Sequence, residues 1–281
     1  MIFLGTAGIP NAVKGGSTLE ALSFLRSVGL NAMEVEFVRG VRMPPKQAEE
    51  VGREARRLGV RLSVHAPYFI NLSSDEADKV EASKQRIIDS AHRAHLLGAD
   101  AIAIHLGYYG KLSKQEAYAR IRDSLLDVRD RLRSMGVRGV ALGGETMAKS
   151  TQFGTLDELI ELSRDVDIVK PYIDWAHLFA RNGGQIDYPS VLDKLREAGI
   201  THVNSHFEGL KKRGGTYVDV HDTVEVDAPP FKPLAETIIK RGVDITLICE
   251  SPYLEDDALK MKAVLERLGY NLNPYKGSME G

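Results

Sequence analysis

Eight short runs rich in β-branched residues recur along the 281-residue chain, and an amphipathic stretch follows each of them. Several of these stretches, such as 17–29 and 114–136, end in glycine just before the next run, as helices with a glycine C-cap do. Strands that alternate with helices pair in parallel, and eight such units predict a closed (β/α)8 TIM barrel. The predicted strands cover residues 2–8, 32–37, 61–68, 101–107, 139–146, 171–177, 201–209 and 245–252.

A doubly wound open sheet is the alternative arrangement of the same elements. Its usual nucleotide-binding signals are missing, because the first turn, GTAGIPNAVKGG, lacks the G-x-G-x-x-G spacing and no strand precedes a Walker lysine. No linker or low-complexity segment divides the chain. We therefore predict one barrel domain over residues 1–281, with a polar tail from about residue 272.

The composition is that of an ordinary globular protein. Its net charge and cysteine content indicate which partners and which cellular compartment to expect. A net charge of -2 argues against a strongly basic nucleic-acid clamp, although it leaves room for a local basic patch. With one cysteine there is no disulfide framework, so a reducing compartment is expected. The sequence shows neither a signal peptide nor an apolar run of the ~20 residues that span a bilayer. We predict a cytoplasmic protein with no membrane partner.

Alternation within the predicted strands places particular side chains inside the barrel. In the run at 101–107, Ile102 and Ile104 share one face, whereas Ala103 and His105 share the other. Active sites of such barrels form at the carboxyl ends of the strands. The third to eighth strands each end in an inward-facing His, Glu or Asp. In chain order these residues are His65, His105, Glu145, Asp174, His206 and Glu250.

Three more ligand-type residues lie near these strand ends. His177 follows Asp174 by one turn, and Asp219 and His221 form an Asp-x-His in the loop after the seventh strand. For Asp174 and His177 alone, a helix cap and a structural histidine are the simpler interpretation. The convergence of so many ligands favours a metal centre, because carboxylates buried together without cations are costly. Imidazole and carboxylate ligands with no cysteine nearby suit zinc or manganese.

Other residues that can bind metal fall outside this pattern. His92 and His95 share a helix face, which favours a structural role. Cys249 faces the opposite way from Glu250, so it is expected to pack beneath a helix.

The motifs at the strand ends resemble, in order, those of the endonuclease IV family of apurinic/apyrimidinic endonucleases, a branch of the xylose-isomerase-like barrels. The resemblance covers nearly the whole chain and is strongest from about residue 60 to 255. Its most specific feature is the D-x-x-H of Asp174 and His177 followed by His206, Asp219 and His221. The motifs that carry it are HAPYFINL, IHLG, GGET, IDWAH, HFEGLKKRGGTYVDVH and CESP.

The resemblance implies three zinc ions and the hydrolysis of DNA on the 5′ side of abasic sites. Glu145 would bridge two of the ions, and Glu250 would both bind a metal and hold the nucleophilic water; these two are the catalytic residues implied. The first ion would be bound by His65, His105 and Glu145; the second by Glu145, Asp174, His206 and Glu250; and the third by His177, Asp219 and His221.

The chain departs from the family motifs in three places. HLG at 105–107 replaces the usual HPG, HFEG at 206–209 replaces HLND, and the first turn lacks GAHVS. His202 and Asn204 also offer a second register for the seventh strand; we prefer His206, because it keeps Asp219 and His221 at the family's distance. These differences indicate a divergent branch.

Several residues in the loops after strands are candidates for contacts with duplex DNA, where cations would bind phosphates. Tyr68 and Phe69 match the family's pair that wedges into the base stack, although two adjacent aromatic residues could equally belong to the core. Arg39 is a candidate for filling the gap left by an extruded nucleotide. The cations on this face are Arg39, Arg42, Lys111, Lys149, Arg181, Lys211, Lys212 and Arg213.

Two other functions remain open from the sequence. A sugar isomerase or epimerase of the same barrel superfamily would bind one metal through Glu145, Asp174, His206 and Glu250. That function leaves the other five ligand residues without a role. A non-catalytic metal-binding or nucleic-acid-binding protein is the third interpretation. The endonuclease interpretation is preferred, with a monomer expected.

Overall fold

The computed structural model describes residues 1–273, so part of the predicted polar tail lies outside the described residues. The strands are β1 Ile2–Ala7, β2 Ala32–Glu36, β3 Arg61–His65, β4 Ala101–Ile104, β5 Ala141–Glu145, β6 Val169–Asp174, β7 Val203–Phe207, β8 Gly209–Arg213, β9 Thr216–Asp222 and β10 Ile245–Cys249. The α-helices are α1 Thr18–Ser27, α2 Pro45–Leu58, α3 Ala77–Leu97, α4 Lys114–Ser134, α5 Leu156–Asp165, α6 Trp175–Arg181, α7 Tyr188–Glu197, α8 Phe231–Arg241 and α9 Glu255–Arg267.

Eight strands of the described chain close into a parallel barrel in the order β1-β10-β7-β6-β5-β4-β3-β2. The predicted (β/α)8 barrel is confirmed, and all eight predicted runs contribute a strand to it. Parallel strands need crossover connections, and the helices between them provide these on the outside. Among residues 1–273, no helix combines the length and apolar character needed to cross a bilayer.

The core divides into two layers that follow the alternation along the strands. Ile102 and Ile104 belong to the large apolar cluster between the strands and the helices. Ala101 and Ala103 lie on the other face, where they pack with Tyr172 inside the barrel. Small residues on β4 therefore leave interior space for a large ring from β6.

Gly143 on β5 also makes room for Tyr172. A Cβ atom at position 143 would lie 2.7 Å from the Tyr172 ring and 2.6 Å from the carbonyl oxygen of Ile102. Both separations are shorter than ordinary van der Waals contact, so a larger residue would displace the ring. Gly143 thus fixes the position of a side chain that reaches across the barrel.

A hairpin after β7 differs from the loop that the sequence predicted there. Strands β8 and β9 pair antiparallel and are joined by Gly214 and Gly215, which have positive φ angles of 55° and 85°. Two consecutive glycines suit the tight turn of a hairpin, because glycine adopts positive φ without steric cost. Asp219 and His221 are two residues apart on β9 and therefore project from the same face.

Candidate metal centre

All nine predicted ligands lie together at the carboxyl end of the barrel, where their atoms form three neighbouring groups. In the first group, Glu145 Oε2 lies 3.5 Å from His65 Nε2 and 3.0 Å from His105 Nε2. In the second group, Glu145 Oε1 lies 3.5 Å from His206 Nδ1, and Asp174 completes the set. Glu145 therefore turns one oxygen to each group, as a bridging ligand would.

The third group forms where the hairpin meets α6. Asp219 Oδ1 lies 3.3 Å from His177 Nε2 and 3.7 Å from His221 Nε2. Glu250 lies beside the second group, with its Oε1 3.7 Å from His206 Nε2. The three groups thus contain the residues that the resemblance assigns to three ions.

Backbone carbonyl groups orient three of the histidines. The Nδ1–H groups donate to the carbonyl oxygens of neighbouring loops: His65 to Ala66 at 2.7 Å, His177 to Thr146 at 2.9 Å, and His221 to Glu250 at 2.9 Å. With the proton on Nδ1, the lone pair of Nε2 faces the cluster. This arrangement is typical of metal-binding histidines, whose second nitrogen is fixed by a hydrogen bond.

His206 is oriented in the opposite sense by a carboxylate. Its Nε2 donates to Glu34 Oε1 at 2.8 Å, which leaves Nδ1 to face Glu145 and Asp174. Glu34 is fully buried and is held in turn by Ser63 Oγ and the Tyr172 hydroxyl, each at 2.8 Å. A carboxylate–histidine pair of this kind sets the tautomer and raises the basicity of the ligand nitrogen.

Asp174 combines the two roles that the sequence left open. Its Oδ1 accepts a hydrogen bond from the backbone N–H of His177 and caps α6. Its Oδ2 is buried and faces the second group. The simpler interpretation as a helix cap is therefore correct for one oxygen, while the other remains available to a metal.

The electrostatics of the cluster reflect carboxylates and imidazoles packed closely together, most of them buried. Burial raises the pKa of Asp174 to about 7. Burial would also raise the pKa of Glu145, but the imidazoles around it, His105 foremost, hold it well below its usual range. Such large opposing shifts are typical of functional sites.

Buried polar atoms without a hydrogen-bond partner within residues 1–273 concentrate in this cluster. Unsatisfied buried groups are costly, and carboxylate oxygens and imidazole lone pairs require a cation or a donor. The donor set therefore fits divalent metal ions. The atoms concerned are Glu145 Oε2, Asp174 Oδ2, His177 Nε2, His206 Nδ1 and both carboxylate oxygens of Glu208.

Three of the acidic residues at the mouth were missed by the sequence analysis. Glu34 and Glu36 lie on the inward face of β2, and burial raises the pKa of Glu36 to about 8. Glu208 follows β7 and is fully buried. The signal was present, since Glu34 and Glu36 alternate in AMEVEF and Glu208 stands two residues after His206.

The structure also separates His202 from the cluster. His202 Nε2 lies 2.9 Å from Thr246 Oγ1, and its ring contacts Phe3 at the opposite end of the barrel. Burial lowers the pKa of His202 to about 3. The register that directs His206 to the cluster is therefore the one adopted. Cys249 is buried in the main core, on the other face of β10 from the cluster.

Tyr68 and Phe69 lie at the rim of the mouth, with exposed fractions of 52% and 71%. The Tyr68 ring is in contact with two of the predicted ligands, at 5.2 Å from the His65 ring and 5.4 Å from the His105 ring between centroids. A core position for this pair is therefore excluded.

The predicted DNA-binding cations differ in exposure and in their hydrogen bonds. Lys211, Lys212 and Arg213 are exposed on β8, and Arg39 is exposed in the loop after β2. Arg181 instead donates from Nη1 to the carbonyl oxygens of residues 147, 149 and 152. Arg181 thus braces the loop after β5 through Nη1, and its role as a phosphate contact stays a prediction.

Comparison with known proteins agrees with the fold and with the resemblance. An uncharacterized protein of Methanocaldococcus jannaschii is 35% identical over 92% of this chain and 95% of its own length. The probable endonuclease 4 of Mycoplasma mobile is 23% identical over 79% of this chain and 80% of its own. Both relatives thus match over most of their length.

Two solved structures share the architecture. Endonuclease IV from Thermus thermophilus superposes with a TM-score of 0.71 at 21% identity and covers 95% of this chain and 97% of its own. A D-tagatose 3-epimerase-like protein gives 0.72 at 20% identity, over 93% and 96%. The model of the xylose isomerase-like TIM barrel family matches residues 22–269. The chain therefore belongs to the xylose isomerase-like TIM barrel family, and its predicted resemblance to endonuclease IV is confirmed.

Proposed function

We propose that the protein is a metal-dependent phosphodiesterase that cuts duplex DNA on the 5′ side of abasic sites and leaves a 3′-hydroxyl. The observation that carries this proposal is the convergence of three ligand groups, two of which share Glu145. Three zinc ions are the proposed occupants, with manganese as the alternative. A function that needs one metal would leave the groups around His65 and His177 without a role.

The residues of the centre have distinct tasks in this reaction. Divalent cations held here would lower the pKa of a water molecule, neutralise the phosphate and stabilise the leaving alkoxide. Glu145 holds two of the three groups at a fixed separation. Glu250, which remains partly exposed at the mouth, orients the attacking water.

Selection of an abasic nucleotide rests on the rim of the mouth. Extruding a nucleotide costs roughly a few kcal/mol, and least where no base is present. Tyr68 and Phe69 are exposed beside the first group and can enter the stack next to the extruded sugar. The cations of β8 and Arg39 would bind the phosphates on either side.

The test is an incision assay on a labelled duplex with one tetrahydrofuran site, a stable abasic analogue. The zinc-loaded or manganese-loaded protein should cut on the 5′ side of that site and leave the same duplex with an intact base uncut. The Glu145→Gln variant, purified in parallel, controls for contaminating nucleases. Absence of incision under every metal and salt condition, together with ketose epimerisation by the same preparation, would replace this proposal with the sugar-epimerase function.

A further inference from the structure

Glu208 is a buried carboxylate that is not among the nine proposed metal ligands. It follows directly after β7, two residues beyond His206, and is 0% exposed. Neither of its oxygens has a hydrogen-bond partner in the part of the chain that the structure describes. Asparagine stands at this position in the HLND form of the motif, so glutamate here adds a carboxylate to the centre.

The surroundings of Glu208 offer metal ligands rather than donors. One set of converging atoms joins it to His177 and His221, with Glu208 Oε1 3.9 Å from His221 Nε2. The second set joins it to Asp174 and Glu250. Its carboxylate thus stands between the third group and the second.

No hydrogen-bond donor in the described part of the chain reaches the Glu208 carboxylate. His177 and His221 direct their Nδ1–H groups to the carbonyl oxygens of Thr146 and Glu250, and His221 Nε2 stays 3.9 Å from Glu208 Oε1, beyond hydrogen-bond distance. A cation between Glu208 and the two imidazoles satisfies all three groups at once.

We propose that Glu208 is an additional metal ligand, which completes the third position and links it to the second. The third position then has four protein ligands, namely His177, Asp219, His221 and Glu208. Four protein ligands are typical of closed, structural zinc sites, whereas catalytic sites keep an open position. The third ion therefore holds the hairpin to the barrel and exchanges slowly, and catalysis is left to the first and second positions.

This inference rests on the proposed three-metal centre, and metal counting tests the two separately. Wild-type protein loaded with zinc is dialysed against a graded series of chelator concentrations, and bound zinc is measured by mass spectrometry. The wild type should retain three ions and Glu208→Gln should lose one of them first. Its apparent affinity for that ion should fall by at least about tenfold, the smallest effect expected even for a residue that only supports a metal ligand.

The matched control is Glu255→Gln, because Glu255 is also buried but accepts hydrogen bonds from the backbone of Asn11 and Ala12. Its zinc retention should equal that of the wild type. Glu208→Leu, measured without metal, should be at least as stable as the wild type, since it replaces a carboxylate without hydrogen bonds by an apolar group. Unimpaired stability of Glu208→Leu would show that folding does not need the Glu208 carboxylate. Zinc loss from Glu208→Gln would then reflect a lost ligand and not a folding defect.

The outcomes are distinct. Three ions retained equally by the wild type and Glu208→Gln would overturn the role of Glu208 and leave the metal centre intact. A wild type that binds one ion would overturn the three-metal centre itself. Loss of one ion from both Glu208→Gln and His177→Ala, with two retained in each, supports the assignment of Glu208 to the third position.

Discussion

Glu145 is the residue on which the proposed centre depends most. It is 1% exposed, and its two oxygens face different ligand groups. Glu145→Gln should lower incision by roughly 100-fold or more, the scale of losing one charge-stabilising group. The fold should survive, because the barrel is held by apolar packing. Incision rates and thermal unfolding check both parts, and a wild-type rate would show that Glu145 does not bridge.

Glu34 shows how a residue outside the ligand set can control a ligand. Since it fixes His206 in the tautomer that frees Nδ1, Glu34→Gln should weaken metal binding at the second position by about 10–100-fold. Chelator titration measures the affinity. Tyr172→Phe removes one of the hydrogen bonds to Glu34 and should have a smaller effect. Unchanged affinity in Glu34→Gln would mean that His206 needs no such support.

Tyr68 tests the proposed recognition of the abasic site. Tyr68→Ala should slow incision at a tetrahydrofuran site while the metal content stays at the wild-type level, because the ring contacts the ligand histidines without binding metal itself. Single-turnover rates and zinc analysis of the same sample give the two readouts. Normal incision by this variant would remove the wedge from the mechanism.

The convergence of the candidate ligands was predictable from the sequence where they end regular strands, whereas the pairing of Glu34 with His206 was not. His105 follows a clean alternation with Ile102 and Ile104, so its direction could be inferred. Glu34 meets His206 across 172 positions of sequence. No local pattern reveals that pairing, because closure of the barrel creates it.

At the scale of elements, the hairpin of β8 and β9 connects the candidate metal centre with the proposed DNA-binding surface. Its β9 strand carries Asp219 and His221, while β8 carries the exposed cations 211–213. The sequence predicted a loop here because no apolar alternation marks β8. The Gly214–Gly215 pair was the available signal for a tight turn.

Replacing Lys211, Lys212 and Arg213 together by alanine should weaken DNA binding and make it less dependent on salt. Each bound phosphate releases counterions, so the slope of log affinity against log salt should become shallower, by up to about 0.9 for each phosphate that the variant no longer binds. The cleavage step should change less, because these side chains are not ligands. Binding isotherms at several salt concentrations and single-turnover rates separate the two effects. If the slope of log affinity against log salt is unchanged in the variant, residues 211–213 do not contact DNA phosphates.

Across the whole molecule, the barrel brings residues from or directly after seven of its strands to one mouth. The surrounding helices bury the outer apolar face of those strands. The Tyr172 ring, admitted by Gly143, crosses the interior to Glu34, which in turn orients His206. Packing in the barrel interior therefore determines the orientation of His206, a proposed ligand. The family relationship was readable from the motifs, whereas this internal support required the closed barrel.

Metal loading should abolish or reverse the fall in stability of the whole protein as the pH rises. In the metal-free protein, burial opposes the charging of His65, but Glu145 and other carboxylates raise its pKa to about 10; the pKa of His221 rises in the same way to about 9. Burial raises the pKa of Glu36 to about 8 and that of Asp174 to about 7. Each of these groups therefore holds its proton more tightly in the folded state than in the unfolded state.

A group with a raised folded pKa stabilises the protein fully below its unfolded pKa, and that contribution is lost as the pH rises through the folded value. The midpoint of thermal unfolding of chelator-treated protein should therefore fall between about pH 6.5, the unfolded pKa of histidine, and pH 9. Zinc requires neutral imidazole and ionised carboxylate, so its binding strengthens over the same range. The loaded protein should show a flat or rising midpoint. Melting curves of the metal-free and zinc-loaded proteins, recorded in parallel over this pH range, provide the measurement. If both midpoints fall as the pH rises, the prediction is wrong.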